Sequence, residues 1–268
     1  MRKVMHKMGL YLRAAISLGR LNLRGFPLVP KMLYANAPHN RAAFNEFILW
    51  IREELQIGSA SVIFDVGANH GDFSQAASVC FRDSDIWLFE PIPKLQPKLL
   101  ERAASQKNRW HLEPIALGAR PEVLPLQMDE GDDAIGSFLG FEESYLQFNP
   151  KARATSEINV RVETLDGFCE GHSIPKIDLL KIDVEGFEFE VLDGAVRMLE
   201  KTQAIILEVS LVRKAHGQPG PLLEMIRRLT AAGFHIVGLI PTRMERSEEP
   251  WLPVEYNILA RKRGRAVA

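Results

Sequence analysis

Cysteine is scarce in this sequence, with only Cys80 and Cys169 among 268 residues. Two cysteines fit neither a disulfide framework nor a zinc site, and they predict a reducing compartment. There is no run of about 18 apolar residues, so the sequence predicts no membrane-spanning helix. Lys and Arg number 33 against 34 Asp and Glu, and this balance does not favour nucleic acid as a partner. We therefore expect a cytoplasmic protein that binds no nucleic acid.

Acidic residues are missing from the first 45 positions, which contain eight basic ones. Within residues 1–25, apolar residues recur near helical spacing, but there is neither an uninterrupted apolar stretch nor a clear cleavage site, which argues against a secretory signal. Three interpretations stay open: a helix packed on the domain edge, an organellar transit peptide, and a helix lying on an anionic membrane surface. We treat residues 1–43 as a basic helical extension and residues 44–268 as one domain.

Strand-like and helix-like segments alternate through this domain. Amphipathic segments with helical spacing occupy residues 44–55, 72–80, 94–105, 187–199 and 219–232. Seven apolar segments have the length and composition of buried strands: 61–67, 85–91, 109–117, 177–183, 204–211, 234–240 and 254–262. This alternation predicts an α/β fold with a doubly wound, mostly parallel sheet. Residues 118–170 break the rhythm and predict a small β insertion.

Acidic residues follow the predicted strands. In open sheets of this kind, ligands bind beyond the carboxyl ends of the strands, near the point where the strand order reverses. Those ends hold acids and few cations: Asp65, Glu90, Asp183, Glu185 and Glu208, with Ala116 after the third strand. We therefore expect a cleft that attracts a cationic ligand.

The turn after the first strand, "FDVGANHGDFS", narrows the choice of ligand. Gly67 and Gly71 let the chain turn sharply and approach a ligand closely. The spacing is neither the G-x-G-x-x-G of dinucleotide sites nor a P-loop, and the turn has no Lys or Arg. A pyrophosphate would meet Asp65 as a like charge, whereas S-adenosylmethionine carries two cationic groups and no phosphate.

Glu90 ends the second strand, 23 residues after Gly67. An acid at this position typically binds a ribose diol through two hydrogen bonds. NAD and S-adenosylmethionine sites share that feature, so Glu90 indicates a nucleoside without choosing between the two.

Four segments carry a resemblance to a known family: "VIFDVGANHGDFS", "WLFEPIPKLQPKL", "VRVETLDGF" and "LLKIDVEGFEFEVLDGA", in this order. Together they resemble the FkbM family of S-adenosylmethionine-dependent methyltransferases. The resemblance covers residues 60–211 and continues more loosely to 262. It implies a class I methyltransferase fold, with seven strands of which the last is antiparallel, and O-methylation of sugar or polyketide hydroxyls.

With this resemblance, the residues at the strand ends become site candidates. We expect cofactor binding by Asp65, Gly67, Ala68, Asn69, Gly71, Glu90, Ala116 and Asp183. We expect Asp183, Glu185 and Glu208 to act on the acceptor, because a hydroxyl needs a base to remove its proton. Glu188 and Glu190 are expected to be structural, with Glu190 facing water, and Lys181 is expected to pair with a neighbouring carboxylate.

Two further possibilities stay open, a histidine that acts as the base and a bound divalent metal ion. His70, His172 and His216 lie in predicted loops and would serve as bases if they reached the cleft. Asp183, Glu185 and Glu208 offer the oxygen ligands that suit Mg²⁺, so the residues leave a divalent metal undecided.

We expect an S-adenosylmethionine-dependent O-methyltransferase whose acceptor is a sugar, glycolipid or polyketide-type hydroxyl. The alternatives are a nicotinamide-dependent oxidoreductase and a non-catalytic binding module on the same fold.

Overall fold

The computed structural model describes residues 48, 51–129, 136–138, 154–210, 221–245 and 252–262. The expected extension over residues 1–43 lies outside them. Among the described residues, no helix has the length and apolar character needed to cross a bilayer.

The described residues form eleven strands in two sheets. In chain order the strands are β1 (Val62–Val66), β2 (Asp85–Phe89), β3 (Arg109–Glu113), β4 (Ala116–Leu117), β5 (Glu122–Asp129), β6 (Gly136–Ser137), β7 (Ala154–Glu163), β8 (Ile177–Ile182), β9 (Thr202–Ser210), β10 (Phe234–Glu245) and β11 (Leu252–Lys262). The larger sheet has the order β10-β11-β9-β8-β1-β2-β3, and the smaller one has the order β4-β7-β5-β6.

The larger sheet confirms the expected fold class. The strands from β3 across to β9 are parallel, while β11 is antiparallel to both of its neighbours. The strand order reverses between β1 and β8, which are adjacent in the sheet although they are far apart in the sequence. The carboxyl ends of β1, β2 and β8 therefore meet where ligands bind in such sheets.

One expected strand is divided between the two sheets. Residues 109–117 were expected to form a single strand, but β3 ends at Glu113 and β4 pairs with β7 in the smaller sheet. The interruption falls at Pro114, which has no N–H to donate to a neighbouring strand. The smaller sheet is the expected β insertion.

Helices cover both faces of the larger sheet: α1 (Asp72–Cys80), α2 (Gln96–Ala104), α3 (Leu165–Gly171), α4 (Glu188–Asp193), α5 (Val196–Glu200) and α6 (Pro221–Ala231). Residues 51–55 are also helical.

The helix expected over residues 187–199 is two short helices, α4 and α5. Gly194 separates them because its backbone lies against Gly118, where a Cβ atom would come within 2.0 Å of the carbonyl oxygen. The Asp166 carboxylate then accepts hydrogen bonds from the backbone N–H groups of Arg197 and Met198, and so caps the start of α5.

The core has one layer on each side of the larger sheet. Alternate residues of the central strands point to opposite faces, as the two-residue period of a strand requires. Phe64 and Leu180 pack with the layer that includes α3 to α6, whereas Ile63 and Leu179 pack with Ile48, residues 51–57 and α1. Because both faces of the central strands are covered, side chains reach a ligand only at the strand ends.

Candidate active site

An open cleft lies at the carboxyl ends of β1, β2 and β8, and the empty space within it, counted together with the adjoining open solvent, is about 660 Å³. Its wall on the larger sheet includes Gly67, Asn69, Glu90, Asp183 and Glu185, all of which were expected at the site. The smaller sheet and the residue after β6 supply a further part of the wall, which includes Ala116, Leu117, Leu126, Gly136 and Phe138. The cleft therefore joins the two sheets.

Gly67 brings two strand ends into contact. Its φ angle is +75°, and a Cβ atom there would lie 1.9 Å from the carbonyl oxygen of Asp183. The backbone N–H groups of Gly67 and Ala68 both donate to the carbonyl oxygen of Phe89, at 3.0 and 3.1 Å. The turn after β1 is thus fixed to β2 and lies directly on the end of β8.

Gly71 and Ala68 have supporting roles in this turn. Gly71 has a φ angle of +76°, and a Cβ atom there would lie 2.7 Å from the Leu99 side chain. Ala68 is buried, and its carbonyl oxygen accepts a hydrogen bond from the Gly71 N–H. Neither residue belongs to the wall of the cleft.

Glu90 is a buried carboxyl group at the wall of the cleft. It accepts hydrogen bonds from the backbone N–H of Asn69, at 2.7 Å, and from that of Ile92, at 2.9 Å. Its burial raises the pKa of the carboxyl to about 7, although both hydrogen bonds act in the opposite direction. Glu90 thereby joins the turn after β1 to the chain after β2.

Asp65 lies beneath the turn, and the structure does not place it in the cleft wall. The side chain has no exposure to solvent. It accepts a hydrogen bond from the Ser74 hydroxyl at 2.6 Å and pairs with the Lys181 ammonium at 3.1 Å. The negative charge of Asp65, which was expected to attract the cofactor, is therefore balanced by the Lys181 ammonium within the protein.

Lys181 pairs with neighbouring carboxylates, as expected from the sequence. Besides Asp65, its Nζ atom lies 3.4 Å from Asp183 Oδ2 and donates to the carbonyl oxygen of Gly67 at 2.7 Å. Burial alone would lower the pKa of this ammonium, but Asp65 and Asp183 together raise it above its ordinary value.

Asp183 and Glu185 line the cleft, whereas Glu208 is not part of the cleft wall and lies beside Asp183. The Asp183 side chain keeps 36% of its exposure. Glu208 on β9 accepts a hydrogen bond from the Thr242 hydroxyl at 3.1 Å. Burial raises the pKa of Glu208 well above its ordinary value, and the nearby charge of Asp183 adds to the rise. This arrangement favours a neutral Glu208.

Glu188 has a local role that the sequence analysis did not identify. Its Oε1 atom accepts hydrogen bonds from the backbone N–H groups of Val184 and Gly186, at 3.2 and 3.0 Å. These bonds hold the loop in which Glu185 and Gly186 have φ angles of +56° and +104°. Burial raises the pKa of Glu188 to about 7. The sequence signal for this role is the position of Glu188, two residues after Gly186 in the loop that follows a strand.

Glu190 does not face water as expected, because it is partly buried. The α4 helix that carries it is shorter than the predicted one, and its residues Glu188, Phe189, Val191 and Leu192 are buried.

An aromatic wall from the insertion was also missed. The Phe138 and Phe187 rings lie 4.6 Å apart, centre to centre, and both line the cleft. The Ser137 hydroxyl donates to the backbone carbonyl of Glu185 at 3.3 Å. The sequence indicated extra strands here, but the register that turns Phe138 towards β8 depends on the β5–β6 pairing, which has no local signature.

The described histidines do not lie in the cleft wall. The carbonyl oxygen of His70 accepts a hydrogen bond from Arg102, and His172 stacks on Phe168 of α3. His216 lies outside the described residues. Within the described segments, no group of three or more His, Cys, Asp or Glu side chains is placed to hold a metal ion.

Residues 65–236 match the family described as the methyltransferase FkbM domain. The chain is 29% identical to the hexuronic acid methyltransferase AglP of Haloferax volcanii over 150 residues, which are 55% of each protein. The match thus spans about half the length of that relative. The chain is also 27% identical to the 2-O-methyltransferase NoeI of Sinorhizobium fredii over 190 residues, covering 69% of this chain and 76% of that protein.

Solved structures give a more distant comparison. Magnesium protoporphyrin IX methyltransferase from Synechocystis PCC 6803 is 10% identical, with a TM-score of 0.45 over 94% of this chain and 96% of that one.

Proposed function

This chain belongs to the FkbM methyltransferase family, and on that premise we propose that it transfers the methyl group of S-adenosylmethionine to a hydroxyl oxygen of a sugar. The observation that carries the proposal is the composition of the cleft wall. The buried carboxyl of Glu90 follows β2, the partly exposed carboxyl of Asp183 follows β8, and apolar side chains lie between them.

The residues of the cleft fit this cofactor. Glu90 has the position of an acid that binds a ribose diol, and Ile92, Leu117 and Phe138 offer an apolar surface to a planar base. Asp183 and Glu185 would attract the ammonium of the amino-acid end, and Gly67 lies beside them in the cleft wall. When bound, S-adenosylmethionine supplies an electrophilic methyl group on a positively charged sulfur.

Asp183 is the proton acceptor in this proposal. Its partly exposed carboxylate would accept the hydroxyl proton as the acceptor oxygen bonds to the methyl carbon and the bond from that carbon to sulfur breaks, which leaves a neutral thioether. The protein supplies little else beyond the alignment of the two reactants. Glu185 lies two residues further along the same wall and would orient the acceptor.

The names of two relatives support the acceptor class. The name of one relative specifies hexuronic acid and that of the other specifies 2-O-methylation, and together these support a sugar hydroxyl. Glycolipids that carry such a hydroxyl belong to the same class, whereas a polyketide hydroxyl is the wider family alternative.

The test begins with binding. Calorimetry should show that S-adenosylmethionine binds and NAD does not. Transfer of a labelled methyl group is then measured over a panel of neutral, amino and uronic sugars and their glycolipids. Binding of NAD without binding of S-adenosylmethionine would instead support a nicotinamide-dependent oxidoreductase.

Asp183→Asn tests the proton acceptor. The variant keeps the volume of the side chain and removes its charge, so turnover should fall by about 10²–10⁴-fold. Exposed Glu200, at the end of α5, gives the matched control Glu200→Gln. Parental turnover in Asp183→Asn would move the chemistry away from this strand end.

A further inference from the structure

Lys181 is a buried cation that does not line the cleft and yet bonds to two parts of its wall. It lies on β8, beside Asp65 of β1 in the sheet register. Because side chains on one face of a strand recur every two residues, Lys181 shares its face with Asp183. Its ammonium is 3.1 Å from Asp65 Oδ1 and 3.4 Å from Asp183 Oδ2.

The position of this ammonium is fixed by groups other than Asp183. The carbonyl oxygen of Gly67 accepts a hydrogen bond from Nζ at 2.7 Å, and Asp65 is held in turn by the Ser74 hydroxyl. The ammonium therefore cannot follow Asp183 into solvent. A fixed charge beside a partly exposed carboxylate determines where that carboxylate rests.

We infer that Lys181 is a positioning residue that keeps Asp183 ionised and directs its carboxylate to the cleft wall, an inference that rests on the proton-accepting role proposed for Asp183. Lys181 touches neither acceptor nor cofactor in this scheme. It acts through Asp183 alone.

Several carboxyl groups lie near Asp183 and Lys181. Glu208 of β9 and Glu188 of α4 interact with Asp183, and Asp65 of β1 shares its Lys181 partner. Glu185 in the loop after β8 and Glu255 of β11 act on Glu208 in turn. A neutral Glu208 adds no negative charge, whereas each ionised carboxylate disfavours a negative charge at Asp183, and the described cation within 4 Å of Asp183 is Lys181.

A single Lys181→Met variant would leave Asp65 buried without its cation, which is strongly destabilising. The informative comparison is therefore Asp65→Asn against the double variant Asp65→Asn/Lys181→Met. The amide oxygen introduced by Asp65→Asn can still accept the Ser74 hydroxyl, and both variants lack the buried carboxylate. They differ in the ammonium beside Asp183, whose removal also deletes the hydrogen bond to the Gly67 carbonyl oxygen.

The readout is the carboxyl ¹³C titration of labelled aspartates, with the Asp183 signal assigned by its loss in Asp183→Asn. An opposite charge within about 4–6 Å favours the ionised carboxylate by one or more pH units. We expect the Asp183 titration midpoint to be about one pH unit or more higher in the double variant than in Asp65→Asn. The acidic limb of the kcat profile should move by the same amount.

Lys176→Met is the matched control. Lys176 precedes the same strand and pairs with Asp178 at 2.7 Å, at the opposite end of the sheet from the cleft. Its loss should leave the Asp183 midpoint unchanged.

Equal midpoints in Asp65→Asn and the double variant would overturn the inference and leave Lys181 as a partner of Asp65 only. The titration needs no acceptor, so it is independent of the methyl-transfer assay. If the Asp183 midpoint shifted but no sugar accepted a methyl group, the proposed function would be refuted. The electrostatic coupling between Lys181 and Asp183 would still stand.

Discussion

Glu188 and Glu90 are carboxyl groups in similar surroundings, because each is nearly buried and accepts two backbone hydrogen bonds. Burial raises the pKa of each to about 7. The unfolded chain releases these protons near pH 4.5, whereas the folded protein keeps them to about pH 7. Between those values the unfolded state binds fewer protons, so the free energy of unfolding falls as the pH rises.

Glu188→Gln should remove part of this dependence of the free energy of unfolding on pH. Glutamine keeps an oxygen acceptor for the Val184 and Gly186 N–H groups but has no proton to lose. From about pH 5 to 7 the free energy of unfolding should fall about 1.4 kcal/mol per pH unit less steeply than in the parent. Urea unfolding across this range measures the slope, and Glu200→Gln is the exposed control. An unchanged slope in Glu188→Gln would contradict the assigned titration.

Glu90→Ala should weaken cofactor binding. Above pH 7, where Glu90 is ionised, the variant loses a charge-assisted hydrogen-bond acceptor at the cleft wall, at a cost of about 1.5–3 kcal/mol in binding free energy. Calorimetry with S-adenosylmethionine measures the change, and Glu101→Ala, on the exposed side of α2, should bind as the parent does. Parental affinity in Glu90→Ala would mean that the nucleoside lies elsewhere.

The sequence located the strand-end acids but did not separate their roles. Asp65 lies within β1 and Glu90 directly follows β2. Asp65 points beneath the turn towards Lys181, whereas Glu90 points to the cleft. The difference depends on where each residue falls relative to the end of its strand and to β8. That relation is set by the sheet register, which no local pattern contains.

Among the elements, the turn after β1 has the strictest steric requirement. Gly67→Ala places a Cβ atom 1.9 Å from the carbonyl oxygen of Asp183 and forces a left-handed φ angle on alanine. The backbone conformation alone costs about 1–3 kcal/mol, and relief of the overlap must separate β1 from β8. We expect lower stability in urea together with weaker cofactor binding.

Gly58→Ala is the control for this substitution. Nothing lies within 4 Å of a Cβ atom at Gly58, so alanine should fit there without strain. If both substitutions changed stability equally, the contact between the two strand ends would not be the cause.

Element positions were largely predictable because buried strands and amphipathic helices leave periodic patterns. The failures have tertiary causes. The segment 109–117 is mostly apolar, but β4 leaves the larger sheet to pair with β7. The segment 187–199 has a continuous helical period, but the approach of Gly194 to Gly118 divides it.

At the scale of the whole molecule, we expect the basic extension and the described fold to act independently, the first in membrane binding and the second in cofactor binding. Residues 1–25 lie outside the described structure and contain six basic residues and no acid. Each Lys or Arg near an anionic bilayer contributes about 1 kcal/mol to binding. Deleting residues 1–25 should abolish salt-sensitive sedimentation with anionic vesicles while the affinity for S-adenosylmethionine stays unchanged.

A charge-reversed variant, with Arg2, Lys3 and Lys7 changed to Glu, separates charge from length. It should lose vesicle binding as the deletion does. Equal sedimentation of the full chain and the deletion would end the membrane hypothesis.

The order of strands in the larger sheet also has a consequence for protein synthesis. β11 is translated after β10, yet it lies between β10 and β9. Until residues 252–262 have left the ribosome, β9 exposes one row of unpaired backbone groups, and β10 lacks the strand with which it pairs in the described sheet. A nascent chain paused before residue 252 therefore presents open strand edges, which are sites for aggregation or for a chaperone that shields edges.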